Sequence, residues 1–191
     1  MRIIIASILC LVLTLPVLAT PTGKTLGAGK NALDVSIMSL NGTSALWPLI
    51  YTRGISDQSE VKMGLADMGV LFETYDIYVS YKRQLMKKAD SGFDLAINIP
   101  LMTYTLSNNV GVASAALQFI ASNDWDIFSP YISSGISVLS SNVSSYIVVP
   151  INAGVLFSPT KNFDVYGGIG TSFGSTVSVP FNYDFGVEWK F

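Results

Sequence analysis

Phe181-Asn182-Tyr183-Asp184-Phe185-Gly186-Val187-Glu188-Trp189-Lys190-Phe191 carries an apolar or aromatic side chain at every odd position and a polar residue or glycine at every even one. Successive side chains of a strand point to opposite faces, so one face of this stretch suits hydrocarbon and the other suits water. That is the pattern of a membrane-spanning β-strand.

The opposite end of the chain agrees. Arg2 gives a short positive start, Ile3 to Leu18 an apolar stretch broken by Ser7, Thr14 and Pro16, and Val17-Leu18-Ala19 a small-residue cleavage signal. The stretch is shorter than the ~20 apolar residues of a helical span. Residues 1–19 are therefore read as a removed signal peptide, 20–30 as a flexible leader and 31–191 as the folded body. The one cysteine, Cys10, falls inside the signal, which leaves the remainder without a thiol.

Half of all residues are hydrophobic and 13% are charged, against ~25% charged in soluble domains. No later run approaches the ~18 consecutive apolar residues of a helical span, so the hydrophobicity is spread by alternation, as in a membrane barrel. The formal charge of −2, with no basic cluster beyond Lys87-Lys88, argues against a nucleic-acid partner. The chain has no histidine. Ser/His and Cys/His nucleophilic systems are thereby excluded, along with His metal sites, and neither enzymatic activity nor a cofactor or metal is expected. Asp184 and Glu188 stand four residues apart on one strand, about 13 Å at ~3.3 Å per residue, too far to share a proton or an ion. Gly27-Ala28-Gly29-Lys30 lacks the glycine spacing of a phosphate-binding loop, because Lys24 stands where a glycine is needed.

The period-2 rule gives ten candidate strands: residues 31–40, 45–55, 60–65, 75–84, 93–101, 110–119, 127–138, 146–157, 163–171 and about 177 to the end. Residues 56–59 form a short polar turn expected to set Arg53 opposite Lys62 and Gly54 opposite Val61. The third strand is the weakest, since Gly64 to Thr74 lacks clean alternation; without it the count falls to eight. The fold class is all-β, a transmembrane antiparallel up-and-down barrel with short connections.

The terminal stretch, with Tyr183, Phe185, Val187, Trp189 and the final Phe191, resembles the C-terminal signature strand of bacterial outer-membrane β-barrels. The resemblance implies the outer membrane of a Gram-negative cell, with membrane lipid around the wall. It further implies insertion machinery that reads those five residues, and periplasmic chaperones, as partners. An even strand number puts both termini on one side, expected to be the periplasm. The connections on that side are flanked by Tyr81, Phe93, Phe119, Trp125, Phe157, Phe163, Trp189 and Phe191, which are expected to form an interfacial aromatic girdle.

By alternation the inward face holds Asp34, Arg53, Glu60, Lys62, Asp76, Lys82, Asp94, Asp164, Asp184, Glu188 and Lys190. It also holds Tyr78, Asn98, Gln118, Tyr131, Tyr146, Asn152, Tyr166 and Asn182. Charges of both signs in a small lumen form ion pairs that fill it, because a lone desolvated charge is costly. The small inward residues Gly64, Ala96, Ser114, Ser133, Gly135, Ser137, Gly154, Gly168 and Gly170 point instead to a narrow water-filled conduit, whose acidic excess favours cations. A structural or narrow-pore role is the expectation. The competing classes are a surface adhesin or ligand sensor using the Ser/Asn-rich loops at 103–109 and 140–145, and a secreted soluble barrel holding a small apolar ligand.

Overall fold

The computed structural model describes residues 22–40, 44–67, 75–106, 110–141, 145–174 and 178–191, with backbone alone for 38–40, 44–48, 66–67, 75–76, 104–106, 110–112, 141 and 178–180. Its strands are β1 Asn31–Leu40, β2 Ser44–Ser56, β3 Ser59–Asp67, β4 Tyr75–Met86, β5 Asp94–Leu106, β6 Val110–Ser122, β7 Phe128–Ser141, β8 Ser145–Thr160, β9 Phe163–Gly174 and β10 Ser178–Lys190. One helical turn, α1 Lys88–Ser91, lies between β4 and β5.

Each strand pairs antiparallel with its neighbour in sequence, and β1 pairs with β10 to close the barrel. The seam runs from Ala32 opposite Lys190 to Leu40 opposite Asn182. Phe191 adds one more rung: its N–H donates to the Asn31 carbonyl at 2.9 Å and its carbonyl accepts from the Asn31 N–H at 3.0 Å. Closure leaves no sheet edge, which is what lets strands cross hydrocarbon.

The alternation read from the sequence is the alternation of the wall. On β10, Tyr183, Phe185 and Trp189 are 53–57% exposed while Asn182 and Glu188 are 3% and 8% exposed. Along β5, Ile99 and Leu101 face out and Ala96 and Asn98 are fully buried. Hydrophobic side chains cover the outside of every strand whose side chains are described, far more than the few hundred Å² of apolar patch a water-soluble monomer exposes. A soluble barrel with apolar residues gathered inside is the reverse of this arrangement.

Two expectations about individual strands are settled by register. β3, the weak one, is a full strand paired on both sides, with Thr52 opposite Lys62 on β2 and Lys62 opposite Ser80 on β4, so the count is ten and not eight. Residues 68–74 lie outside the described residues. The expected pairing of Arg53 with Lys62 is off by one. Ser56 pairs with Ser59 around a two-residue turn, but Gly54 pairs with Glu60, which leaves Ile55 as an extra residue on β2. A single bulged residue turns everything before it to the other face. Arg53 consequently sits opposite Val61 and is exposed on the outer wall beside Tyr51 and Ile55, while Thr52 and Gly54 are buried.

The connections joining β2 to β3, β4 to β5, β6 to β7 and β8 to β9 lie at the end that carries Asn31 and Phe191. At the other end, 107–109 and 142–144, the centres of the two loops considered for surface binding, lie outside the described residues.

The segment before β1, expected to be a flexible leader, is docked from Thr22 to Lys30 across the mouth of the barrel, with Thr22 and Gly23 buried. Gly27 and Gly29 adopt φ of 88° and 75°, the left-handed region that favours glycine, where the chain turns from this strap into β1.

Candidate functional site

The inward-facing polar residues cluster below the mouth. Glu60 is the hub: its Oε1 lies 2.8 Å from Lys82 Nζ and 3.8 Å from Lys62 Nζ, and its Oε2 accepts the Leu26 N–H at 2.8 Å. All three charged side chains are only 2–4% exposed. Lys82 Nζ also donates to the Thr22 carbonyl at 3.3 Å. An ion pair this far from water is sustained only if its remaining donors and acceptors are met, and here the strap backbone supplies two of the partners.

Around that hub the other sequence-predicted residues take separate partners. Asp94 Oδ1 accepts from Gln84 Nε2 at 2.8 Å and from the Lys88 N–H at 3.0 Å, which ties α1 to the wall. The Tyr166 hydroxyl donates to Asp34 Oδ1 at 3.0 Å, with both side chains buried. Lys190 pairs with Asp164, Asn98 donates to Gln118 Oε1 at 3.0 Å, and Asn152 donates to Ser133 Oγ at 3.3 Å. Glu188 is buried and Asp184 half-buried, both on the inner face. Arg53 is outside the lumen, for the register reason given above. Asp76 lies outside the described side chains.

Three glycines of the inner wall are sockets for larger neighbours. A Cβ at Gly186 would overlap the Tyr166 ring, and one at Gly168 would stand 2.5 Å from the Tyr131 hydroxyl oxygen. One at Gly170 would overlap Asn152 Oδ1 and meet Asn182 Oδ1 at 2.5 Å. At Gly168 and Gly170 the adjoining space is therefore taken by tyrosine and asparagine side chains.

Farther from the termini the inner face turns apolar, which the sequence reading missed. Register links Ile50, Gly64, Tyr78, Met102, Ser114 and Leu139 as successive opposite residues on β2 to β7. Ile50, Tyr78, Met102 and Leu139 are 1–3% exposed, as is Val148 on β8. Periodicity alone does not mark this row. Leu49 and Ile50 are both apolar, as are Ile147, Val148 and Val149, so either parity fits.

At the mouth a cavity of about 630 Å³ opens between the strap and the β6–β7 and β8–β9 turns, lined by Leu26, Lys30, Glu60, Lys82, Asp164 and Lys161 among others. The residues expected to form a girdle are outward-facing: Tyr81, Phe93, Phe119, Trp125, Phe163, Trp189 and Phe191 are exposed, and Phe157 is half-exposed. Trp189 and Phe191 pack with ring centroids 5.4 Å apart, and Phe157 packs at 5.1 Å on Phe128, a ring outside the expected girdle. Tyr81 lies deeper in the wall than the others, opposite Val61 and Ile99.

A closed antiparallel sheet, oily outside and lined inside by polar side chains and an apolar row, defines a transmembrane β-barrel of the outer-membrane type. Among solved structures, the chain is similar to the β domain of the Bordetella autotransporter BrkA, with 10% identity over 85% of this chain and 98% of that one and a TM-score of 0.54, a likeness that shows the fold. It is also similar to Ail of Yersinia pestis (11% identity, 85% and 99% covered, TM-score 0.49) and to the N-terminal β-barrel domain of OprF of Pseudomonas aeruginosa (10% identity, 86% and 99% covered, TM-score 0.44). No family model matches the sequence, and no curated protein matches it.

Proposed function

We propose that this chain is an integral barrel of the bacterial outer membrane, with both termini in the periplasm, whose lumen is closed by its own side chains. In this reading it serves the membrane as a structural element and not as a standing pore. The observation that carries the reading is the near-complete burial of the inward side chains. The apolar row of Ile50, Tyr78, Met102 and Leu139 is 1–3% exposed, and so are Glu60, Lys62 and Lys82. A conducting lumen needs wetted walls, and an apolar constriction excludes ions by dewetting. The carboxylate excess, Asp34, Glu60, Asp94, Asp164, Asp184 and Glu188 against Lys62, Lys82 and Lys190 among the described side chains, gives a cation preference only to a path that is open. The even strand number supports periplasmic termini, and the exposed rings near Phe191 suit the interface on that side. Tyr183, Phe185, Val187, Trp189 and Phe191 would present the insertion signal.

Planar-bilayer recording tests the reading. Detergent-purified, folded protein is expected to insert without discrete conductance steps. Reproducible cation-favouring steps would reinstate the narrow pore, and Asp94→Asn with Asp184→Asn would then be expected to weaken their selectivity.

A further inference from the structure

The strap Thr22–Lys30 is seated by contacts spread around the mouth. The Gly23 N–H donates to Ser122 Oγ at 2.9 Å, the Leu26 N–H to Glu60 Oε2 at 2.8 Å, and the Gly29 N–H to the Gly54 carbonyl at 3.0 Å. The Thr22 carbonyl accepts from Lys82, the Ala28 N–H donates to Asp57 Oδ1 at 3.3 Å, and Lys24 pairs with Asp124. These contacts reach β2, β3, β4 and β6 and the turns beside them, so the strap bridges strands that are not neighbours in the sheet.

Two glycines make room for it. A Cβ at Gly54 would overlap the Gly27 carbonyl oxygen, and its next two neighbours are also Gly27 backbone atoms; a Cβ at Gly23 would stand 2.7 Å from the Asp94 carbonyl oxygen. Every atom that a Cβ at Gly54 would meet this closely belongs to the strap and none to the sheet. The notch exists for the strap.

We propose that the mouth is a binding site for an extended peptide, filled in cis by Thr22–Lys30, and that this segment is a plug. While seated, it covers the Glu60–Lys62–Lys82 cluster and forms one wall of the cavity that those residues line. When it leaves, the cluster faces solution and the cavity opens wider at the mouth. The chemistry that selects the occupant is a run of backbone N–H groups meeting Glu60, Ser122 and Asp57, one carbonyl meeting Lys82, and a lysine meeting Asp124. The inference does not depend on whether the barrel conducts, since the apolar row lies beyond the cluster.

The test is lysine reactivity toward a small water-soluble amine reagent, mapped by mass spectrometry on folded protein in detergent, with Lys87, exposed and outside the cavity lining, as the internal standard. In the full chain Lys82 is expected to react far more slowly than Lys87. In a chain beginning at Asn31, its rate is expected to rise by about tenfold or more, as for any group released from a closed local state. Adding a synthetic peptide of the Thr22–Lys30 sequence should restore protection. If the shortened chain does not fold, as judged by gel migration before and after boiling, the full-length Gly23→Ala, Gly54→Ala pair decides, because it evicts the strap without removing it. Lys82 protection unchanged in the variant that folds would overturn the proposal, as would a full chain in which Lys82 reacts as fast as Lys87.

Discussion

Tyr166 shows how single residues fill this lumen. Its ring occupies the volume a Cβ would need at Gly186, and its hydroxyl holds the buried Asp34 carboxylate at 3.0 Å. The glycine therefore provides space for the tyrosine, and the tyrosine provides that carboxylate with a hydrogen bond from another strand. Gly186→Ala should push the ring off Asp34 and destabilise the barrel by about 1–3 kcal/mol, the range for overpacking a filled interior. Chemical unfolding in detergent measures this, and the partner substitution sharpens it. Gly186→Ala added to Tyr166→Ala should cost clearly less than it does alone, because the collision is gone; strict additivity would mean the two residues are not coupled. The side of the wall on which these residues lie was legible in the sequence, since period-2 alternation places Tyr166 and Asp184 on the polar face. What fills a glycine's space was not, because Gly168 and Gly170 read the same whether the neighbouring volume holds water or a side chain from the next strand.

At the scale of the strand, register decides what faces in. The bulge at Ile55 sets β2 so that Thr52 and Gly54 face the lumen and Leu49, Tyr51 and Arg53 face out. Similar shifts lie between Gln84 and Met86 on β4 and between Phe157 and Thr160 on β8, each next to a connection at the terminal end. Deleting Ile55 should remove the bulge and keep the register, with Ser56 still opposite Ser59, Gly54 opposite Glu60 and Arg53 opposite Val61. Deleting Thr52, which lies before the bulge, should instead bring Tyr51 opposite Lys62, turning Tyr51 inward and Ile50 to lipid. The expected outcome is that the Ile55 deletion keeps the folded band that migrates differently before and after boiling, while the Thr52 deletion loses it. Loss of that band on deleting Ile55, or wild-type yield on deleting Thr52, would show that this register does not decide which face of β2 meets lipid. Alternating strands such as β1 and β10 could be placed from sequence to within about a residue, whereas β5 runs five residues beyond its expected end at Leu101. The bulge could not, because an extra residue beside a polar turn leaves the composition of both strands unchanged, and Arg53 was assigned to the wrong face for that reason alone. The strap was missed for a related reason: Gly23, Gly27 and Gly29 read as a flexible run, whereas the strap's partners, Gly54, Glu60 and Ser122, are 25 to 99 residues away in sequence.

For the molecule as a whole, the outer wall was the easily read part because it answers to one requirement, contact with hydrocarbon, at every second position of every strand. The lumen answers to many pairwise requirements at once, so the sequence reading could list its charges but could not assign Glu60 to Lys82, Asp34 to Tyr166 or the strap to the mouth. The wall also fixes how the intact protein must behave. Val35, Leu49, Met63, Leu65, Ile77, Leu101, Ile132, Ile147, Ile169 and Phe185 are all 41–62% exposed on the outer surface. At roughly 25 cal/mol per Å² of apolar area, leaving such a surface in water is opposed by far more free energy than a typical domain's stability of ~5–15 kcal/mol can absorb. Folded barrel is therefore expected to stay monodisperse in detergent above its critical micelle concentration and to partition into the detergent phase. It should aggregate on dilution below that concentration while its interior packing is still intact. Sedimentation through a detergent gradient, read alongside gel migration before and after boiling, checks both points. A folded, monodisperse species in plain buffer would mean that the exposed belt is covered by something other than lipid.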